Sequence, residues 1–209
     1  ATPNLVVLGG GVGGIVAAHE LHRRMGATHR VVLIERNHVH RFAPSLLWVM
    51  SGARRAERIS ADLRHLRRRG VEFSEANVEG IDPGRQRVMT STGAIAYERL
   101  VVALGADLAP QTLPGFSEAA HNLYSLEGSQ AAHDALSTLR TGRVAILVSG
   151  LPYKCPAAPY EAAFLADALL RRRGSRSQIA IDVYTPEPAP MPTAGPRVGA
   201  AVAAMLLAR

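Results

Sequence analysis

Cysteine occurs once in this 209-residue chain, at Cys155, and lysine once, at Lys154. One cysteine excludes an intramolecular disulfide, so the thiol is either a small buried hydrophobe or a reactive group. Aromatic residues are scarce at 5%, with Trp48 the single tryptophan. They do not interleave with the basic residues, so there is no stacking platform for single-stranded nucleic acid. No apolar run approaches the ~20 residues of a spanning helix. The chain enters an apolar strand almost at its first residue, which leaves no room for a signal peptide and gives no support for export or insertion. Acidic residues are the minority charge, 17 against 24 basic, for a formal +7. That excess suits an anionic surface, but it is spread as scattered arginines whose densest run is RHLRRRG, and nucleic acid is not an expected partner.

What the chain does have is 47% apolar residues and a glycine-rich turn in LVVLGGGVGGIVAAHEL, Leu5 to Leu21. The run Leu5 to Leu8 reads as a buried parallel strand, and Gly9, Gly11 and Gly14 have the G-x-G-x-x-G spacing before an amphipathic helix. Gly9 permits the tight turn, Gly11 lets backbone approach a pyrophosphate, and Gly14 lets the helix pack closely on the strand. The phosphates then lie on the helix N-terminus, where N–H groups and the dipole favour an anion. A second apolar strand, Arg30 to Ile34, ends at Glu35, about 20 residues past the glycines, where a carboxylate can accept both hydroxyls of an adenosine ribose. The alternative for Glu35 is an ordinary charged strand end; with the whole βαβ unit in place, a dinucleotide site is expected.

The next stretch, RNHVHRFAPSLLWVMSGAR, reads as irregular. His38 and His40 are expected to be solvated loop residues without a neighbouring carboxylate, so a metal site is not expected. Phe42 and Trp48 are expected in the core. Ser60 caps a helix that runs to about Arg69 and stops at Gly70, with Ile59, Leu63 and Leu66 as its apolar stripe and Arg64, Arg67 and Arg68 on its solvated face. A short strand, a second extended piece around Val78 and a hairpin follow, feeding an apolar strand from Leu100 to Leu104.

Pro110, Pro114 and Gly115 mark a boundary. An amphipathic helix from Leu126 to Leu139 leads into RVAILVSG, a helix carrying Ala162, Leu165, Leu169 and Leu170, and the strand IAIDVY. This second α/β unit lacks a phosphate turn. After Gly150 the loop LPYKCPAAPYE puts prolines and bulk where a pyrophosphate needs bare N–H groups, which disfavours NAD there. TPEPAPMPTAGP reads as an extended loop before a last helix from about Pro196, and Arg209 falls inside that helical pattern, so the second unit looks unfinished. The expected fold is α/β: a Rossmann-like FAD-binding domain with an antiparallel meander (1–114), a connecting segment (115–141) and an incomplete second Rossmann-like unit (142–209).

These motifs resemble the two-dinucleotide-binding flavoproteins, and within them the sulfide:quinone oxidoreductases and the flavoprotein of flavocytochrome c sulfide dehydrogenase. The broad likeness rests on Gly9 to Gly14, Glu35 and the ALGA turn at Ala103 to Ala106. The narrow one rests on YKCPAAPYEAAF, Tyr153 to Phe164, similar to the family's K-C-P-x-A-P-Y-E. The resemblance covers the chain but only about the first half of such a protein. It implies FAD held by Gly9, Gly11, Gly14 and Glu35, with backbone near Val78 at the adenine, Gly105 bordering the cofactor and Pro44 approaching the flavin ring. It implies Cys155 as the redox cysteine, a small sulfur nucleophile and a quinone as substrates, a cytoplasmic or membrane-peripheral location through a C-terminal region, and compatibility with a homo-oligomer. Two departures stand out. Leu104 replaces the threonine of the family's A-T-G turn, and LYSLEGS from Leu123 stands where some members attach the flavin, so FAD is expected to be non-covalent. The alternatives are a type II NADH:quinone-like reductase, which the missing second glycine turn opposes, and a flavin-binding fragment without turnover. For the thiol itself, the position before Pro156 predicts an extended backbone, and a helix beginning near Pro159 offers its positive end to a thiolate.

Overall fold

Leu5, Val6, Val7 and Leu8 are all fully buried, as a strand covered on both faces requires. In the computed structural model, which describes residues 2–209, they lie in β1 (Asn4–Leu8), followed by α1 (Val12–Met25) and β2 (Arg30–Glu35). The short strands β3 (Val39–Arg41) and β4 (Ser60–Asp62) pair antiparallel. β5 (Glu72–Glu75) precedes a meander of β6 (Val78–Asp82), β7 (Arg87–Thr90) and β8 (Gly93–Ala96), and β9 (Arg99–Val102) returns. β5, β2, β1 and β9 form a parallel four-stranded sheet in that order, with Leu8 level with Ile34 and Val102.

The strand period sorts the side chains between two layers. Leu5, Val7, Val31, Leu33 and Phe73 pack with Ala18 of α1, while Val6, Leu8, Val32 and Ile34 pack with Val88 and the half-buried Val78 of the meander. Each such side chain contributes roughly 1.5–3 kcal/mol on burial, so this sandwich is the anchor for everything at the sheet's C-terminal edge.

The chain divides into two compact units, one comprising the residues up to Phe42 with Ile59–Leu108, the other Ala43–Arg58 with Ala109–Arg209. The second holds α2 (Leu46–Met50), α3 (Phe116–Ala119), α4 (Leu126–Thr138), β10 (Gly142–Leu147), α5 (Ala158–Arg172), β11 (Ile179–Tyr184) and α6 (Pro196–Leu207). β10 and β11 are parallel, from Gly142 opposite Ile179 to Leu147 opposite Tyr184. Leu47, Met50, Ala132, Leu136, Ala162, Ala166 and Leu169 make its core. No helix among the described residues is long and apolar enough to cross a membrane.

Several local expectations are corrected. The expected helix from Ser60 is a strand followed by a 3-10 helix, Leu63–Arg69, because β3 claims Ser60–Asp62 as a ladder partner. Asp62 is the cap, accepting from the Arg64 amide at 2.9 Å, and Gly70 ends the turn at φ +78°. Leu63 and Leu66 are three apart, the repeat at which a 3-10 helix stacks side chains on one face, and both are buried, whereas Ile59 lies outside that helix. The strand expected over Leu100 to Leu104 runs from Arg99 to Val102. Phe42 and Trp48 are not core residues, being 43% and 42% exposed. In α2, Leu46, Leu47, Val49 and Met50 take the inward positions, and the outward Trp48 is covered by the Arg54 guanidinium 4.4 Å from its ring centre. TPEPAPMPTAGP contains a short 3-10 turn, Pro192–Ala194, and α6 ends at Leu207, short of Arg209.

Candidate functional site

The three fingerprint glycines have three different surroundings. Gly9 sits at φ +101°, donates its N–H to the Ile34 carbonyl at 2.8 Å, and a Cβ on it would strike the Ala103 carbonyl oxygen. A Cβ on Gly14 would overlap the Gly9 carbonyl oxygen. A Cβ on Gly11 would meet nothing within 4 Å. So Gly9 and Gly14 are required by the fold, whereas Gly11 faces open space. Gly11 is also the N-cap of α1, with no side chain capping that end and no acidic residue in the first turn. Open amides at a positive dipole end fit a pyrophosphate.

Glu35, half-buried at the end of β2, accepts from the Gly10 amide at 2.7 Å and from the Asn37 amide at 3.2 Å. A carboxylate has about four lone-pair sites, so capacity remains for ribose hydroxyls. Gly10, which the spacing does not single out, joins the candidate site through its bond to Glu35. A Cβ there would lie 2.5 Å from Leu63 Cδ1 and 2.8 Å from Glu35 Cγ; the signal was the middle glycine of the Gly9–Gly11 run, which the fingerprint does not need. Gly105 is at φ +70° in open space, and the Ala103 amide before it donates to the Leu8 carbonyl at 2.8 Å. Val78 begins β6, just past Ala76, whose amide donates to the Glu35 carbonyl at 3.0 Å. Gly9, Gly10, Gly11, Gly14, Glu35 and Gly105 thus converge at the C-terminal edge of the sheet. Pro44 belongs to the other unit, in a 3-10 turn over Ala43–Ser45.

His38 is a loop residue with its side chain 39% exposed, as expected, but His40 is half-buried on β3. His38 Nδ1 lies 3.0 Å from Glu75 Oε1, a carboxylate brought within reach because β2 and β5 end side by side. His40 Nδ1 lies 2.9 Å from the Gly10 carbonyl oxygen.

In the second unit Cys155 is exposed, so it is not a buried filler. Its backbone is not extended, because φ is +61°, a region that costs an L-residue roughly 1–2 kcal/mol. Three consecutive carbonyls hold it there. Lys154 O accepts from the Tyr124 hydroxyl at 2.6 Å, Cys155 O from the Ala158 amide at 2.9 Å, and Pro156 O from the Tyr153 hydroxyl at 3.2 Å. The bond to Ala158 closes a turn into α5, and this overrides the bias that Pro156 places on its predecessor. Pro159 stands in the first turn of α5. The Lys154 ammonium sits 5.5 Å from the Tyr124 ring centre. Burial, and then the neighbouring Cys155, push the Tyr124 ionisation above the ordinary tyrosine range. Burial and Glu187 raise Tyr153 further, and raise Tyr160 to about 12; the Tyr160 hydroxyl donates to Glu187 at 2.6 Å.

Residues 3–151 match the pyridine nucleotide-disulphide oxidoreductase family. The chain belongs to this family. Its first unit is the family's FAD-binding fold, and FAD is its cofactor. Among curated relatives, the chain is 29% identical over 181 residues to mouse mitochondrial sulfide:quinone oxidoreductase, covering 82% of this chain and 39% of the relative. It is 30% identical over 188 residues to the sulfide-quinone reductase of Aquifex aeolicus, covering 88% and 43%. The solved sulfide:quinone oxidoreductase of Aquifex aeolicus superposes with a TM-score of 0.85 at 27% identity, over 99% of this chain and 49% of that one. The chain therefore spans less than half the length of the curated relatives it matches.

Proposed function

We propose that this protein is a flavin oxidoreductase of the sulfide:quinone type, acting on sulfide or a related small sulfur nucleophile. The observation that carries the reading is an exposed Cys155 pinned in a left-handed turn by three hydrogen-bonded carbonyls, in a chain whose other unit is built for FAD. A side chain kept at a strained position calls for a functional reason. Similarity to the mouse and Aquifex proteins supports the choice of substrates.

Bound FAD would supply a two-electron acceptor for the sulfur and a donor for the quinone. The chain's own part is narrower. Open glycine amides hold the pyrophosphate, Glu35 holds the ribose, and the Cys155 thiolate meets the sulfur nucleophile. Thiolate and hydrosulfide joining as a persulfide release two electrons and one proton, so the step balances with the flavin as oxidant. The loop with Pro152, Tyr153, Lys154 and Pro156 opposes a nicotinamide donor, because two prolines there lack N–H groups.

The test is anaerobic reduction of FAD-loaded protein by sulfide, followed by loss of flavin absorbance. Cys155→Ser should retain FAD and lose sulfide-dependent bleaching, while NADH should bleach slowly or not at all. Bleaching of Cys155→Ser at the wild-type rate overturns the assignment. A flavin carrier without turnover is the second reading, favoured by the single cysteine, since a disulfide relay needs two; it predicts FAD binding with no response to sulfide.

A further inference from the structure

We propose that His40 is a positioning residue for the cofactor's pyrophosphate, acting through the Gly10 peptide. The inference rests on the FAD reading of the glycine turn and adds a residue outside the fingerprint.

β3 is held in place independently of the turn. His40 pairs with Ala61 of β4, the Leu63 amide donates to the His38 carbonyl at 2.7 Å, and the Phe42 amide donates to the Ile59 carbonyl at 2.8 Å. From this frame the His40 ring reaches the Gly10 carbonyl oxygen at 2.9 Å through Nδ1. A carbonyl only accepts, so Nδ1 carries the hydrogen, and in the neutral ring Nε2 is the acceptor.

A trans peptide is planar, with its C=O and the following N–H pointing in opposite directions. Fixing the Gly10 carbonyl on His40 therefore turns the Gly11 N–H to the far side of the same plane. Gly11 is exposed, and a Cβ on it would meet nothing within 4 Å, so an anion can approach there. On the other side of Gly10, Glu35 holds the Gly10 N–H at 2.7 Å and with it the preceding peptide. Peptides flanked by glycines have the widest conformational choice in a chain. With one plane gripped by Glu35 and the next by His40, the turn meets a phosphate already ordered, and binding does not have to supply that ordering.

The two grips differ in what they serve. Glu35 can also touch the ribose, whereas His40 reaches the ligand only through the amide offered to phosphate. Removing the His40 donor should therefore weaken ligands with a pyrophosphate and spare those without one.

The experiment is calorimetric titration of the chain with FAD, ADP and adenosine, with thermal unfolding read alongside. His40→Leu should weaken FAD and ADP about fivefold to tenfold, the worth of one hydrogen bond, and leave adenosine within about twofold. His40→Asn, whose amide can donate, should recover most of the ADP affinity. Unchanged ADP binding by His40→Leu, or equal losses for ADP and adenosine in a folded variant, overturns the inference and leaves the FAD reading standing. Wild-type protein that binds neither FAD nor ADP overturns both. Should His40→Leu fail to fold, His40→Asn against His40→Ala carries the same comparison.

Discussion

The Tyr124 hydroxyl donates to the Lys154 carbonyl at 2.6 Å and so fixes the peptide that enters Cys155. Tyr124→Phe keeps the ring beneath the Lys154 ammonium and removes only this bond, worth about 0.5–1.5 kcal/mol. Amide hydrogen exchange at Ala158, whose N–H donates to the Cys155 carbonyl at 2.9 Å, should rise about twofold to tenfold. Exchange unchanged from wild type would mean that the turn is held without Tyr124.

The glycine turn separates stability from binding. In Gly14→Ala the new methyl meets the Gly9 carbonyl, and the strain should cost about 1–3 kcal/mol, read as a lowered melting temperature. Gly11→Ala meets nothing within 4 Å, so it should cost less than about 1 kcal/mol as a poorer N-cap, yet weaken FAD by about tenfold or more by standing where phosphate approaches. A Gly11→Ala protein with wild-type FAD affinity would contradict the placement of the pyrophosphate.

Asp167 of α5 supplies a pH signature. It is 2% exposed and meets Arg171 at 2.9 Å, Arg176 at 2.6 Å and Arg209 at 3.2 Å. Burial pulls its pKa up, but hydrogen bonds from the three guanidiniums together prevail and the net displacement is downward. A lowered carboxyl pKa contributes stability that is fully present above the unfolded value of about 3.9 and is lost as pH falls through the folded value. Melting curves of wild type and Asp167→Asn should differ most near neutral pH and converge in acid. A gap that stays constant down to low pH would show that the carboxylate charge is not what stabilises this corner.

Tyr160 predicts the opposite slope at the alkaline end. Its ionisation is raised to about 12, first by burial and then by Glu187. A raised tyrosine pKa contributes stability present below the unfolded value of about 10 and lost as pH climbs through the folded value. Phenolate absorbance should show a late-titrating tyrosine that Tyr160→Phe removes. Glu187→Gln should bring it only part of the way back, because burial is the larger cause.

Much of the first unit could be read in the chain because its determinants are local. Leu5 to Leu8 and Arg30 to Glu35 are short apolar runs that can only be covered strands, and the glycine spacing fixes what lies between. The misreadings share a cause, a partner distant in sequence. Ser60 has the chemistry of a helix cap, but nothing nearby announces that Val39 to Arg41 will pair with it. The acidic residue nearest His38 in sequence is Glu35, but the one it meets is Glu75, brought within reach only when two parallel strands end together. Pro156 states a true local bias for Cys155, and a hydroxyl from Tyr124 is part of what overrules it. That Ala43 to Arg58 groups with the later half of the chain is likewise absent from its own pattern, since an apolar face does not say which core it will join.

The left-handed backbone of Cys155 has a consequence for how such sequences drift. Glycine occupies that conformation without steric penalty, so at this position the substitution that deletes the thiol is also the one that relaxes the chain. Cys155→Gly should fold more stably than the parent by up to about 1 kcal/mol. Selection for folding alone would empty this position of sulfur. A lineage that keeps cysteine there is being held against that gradient by something other than stability.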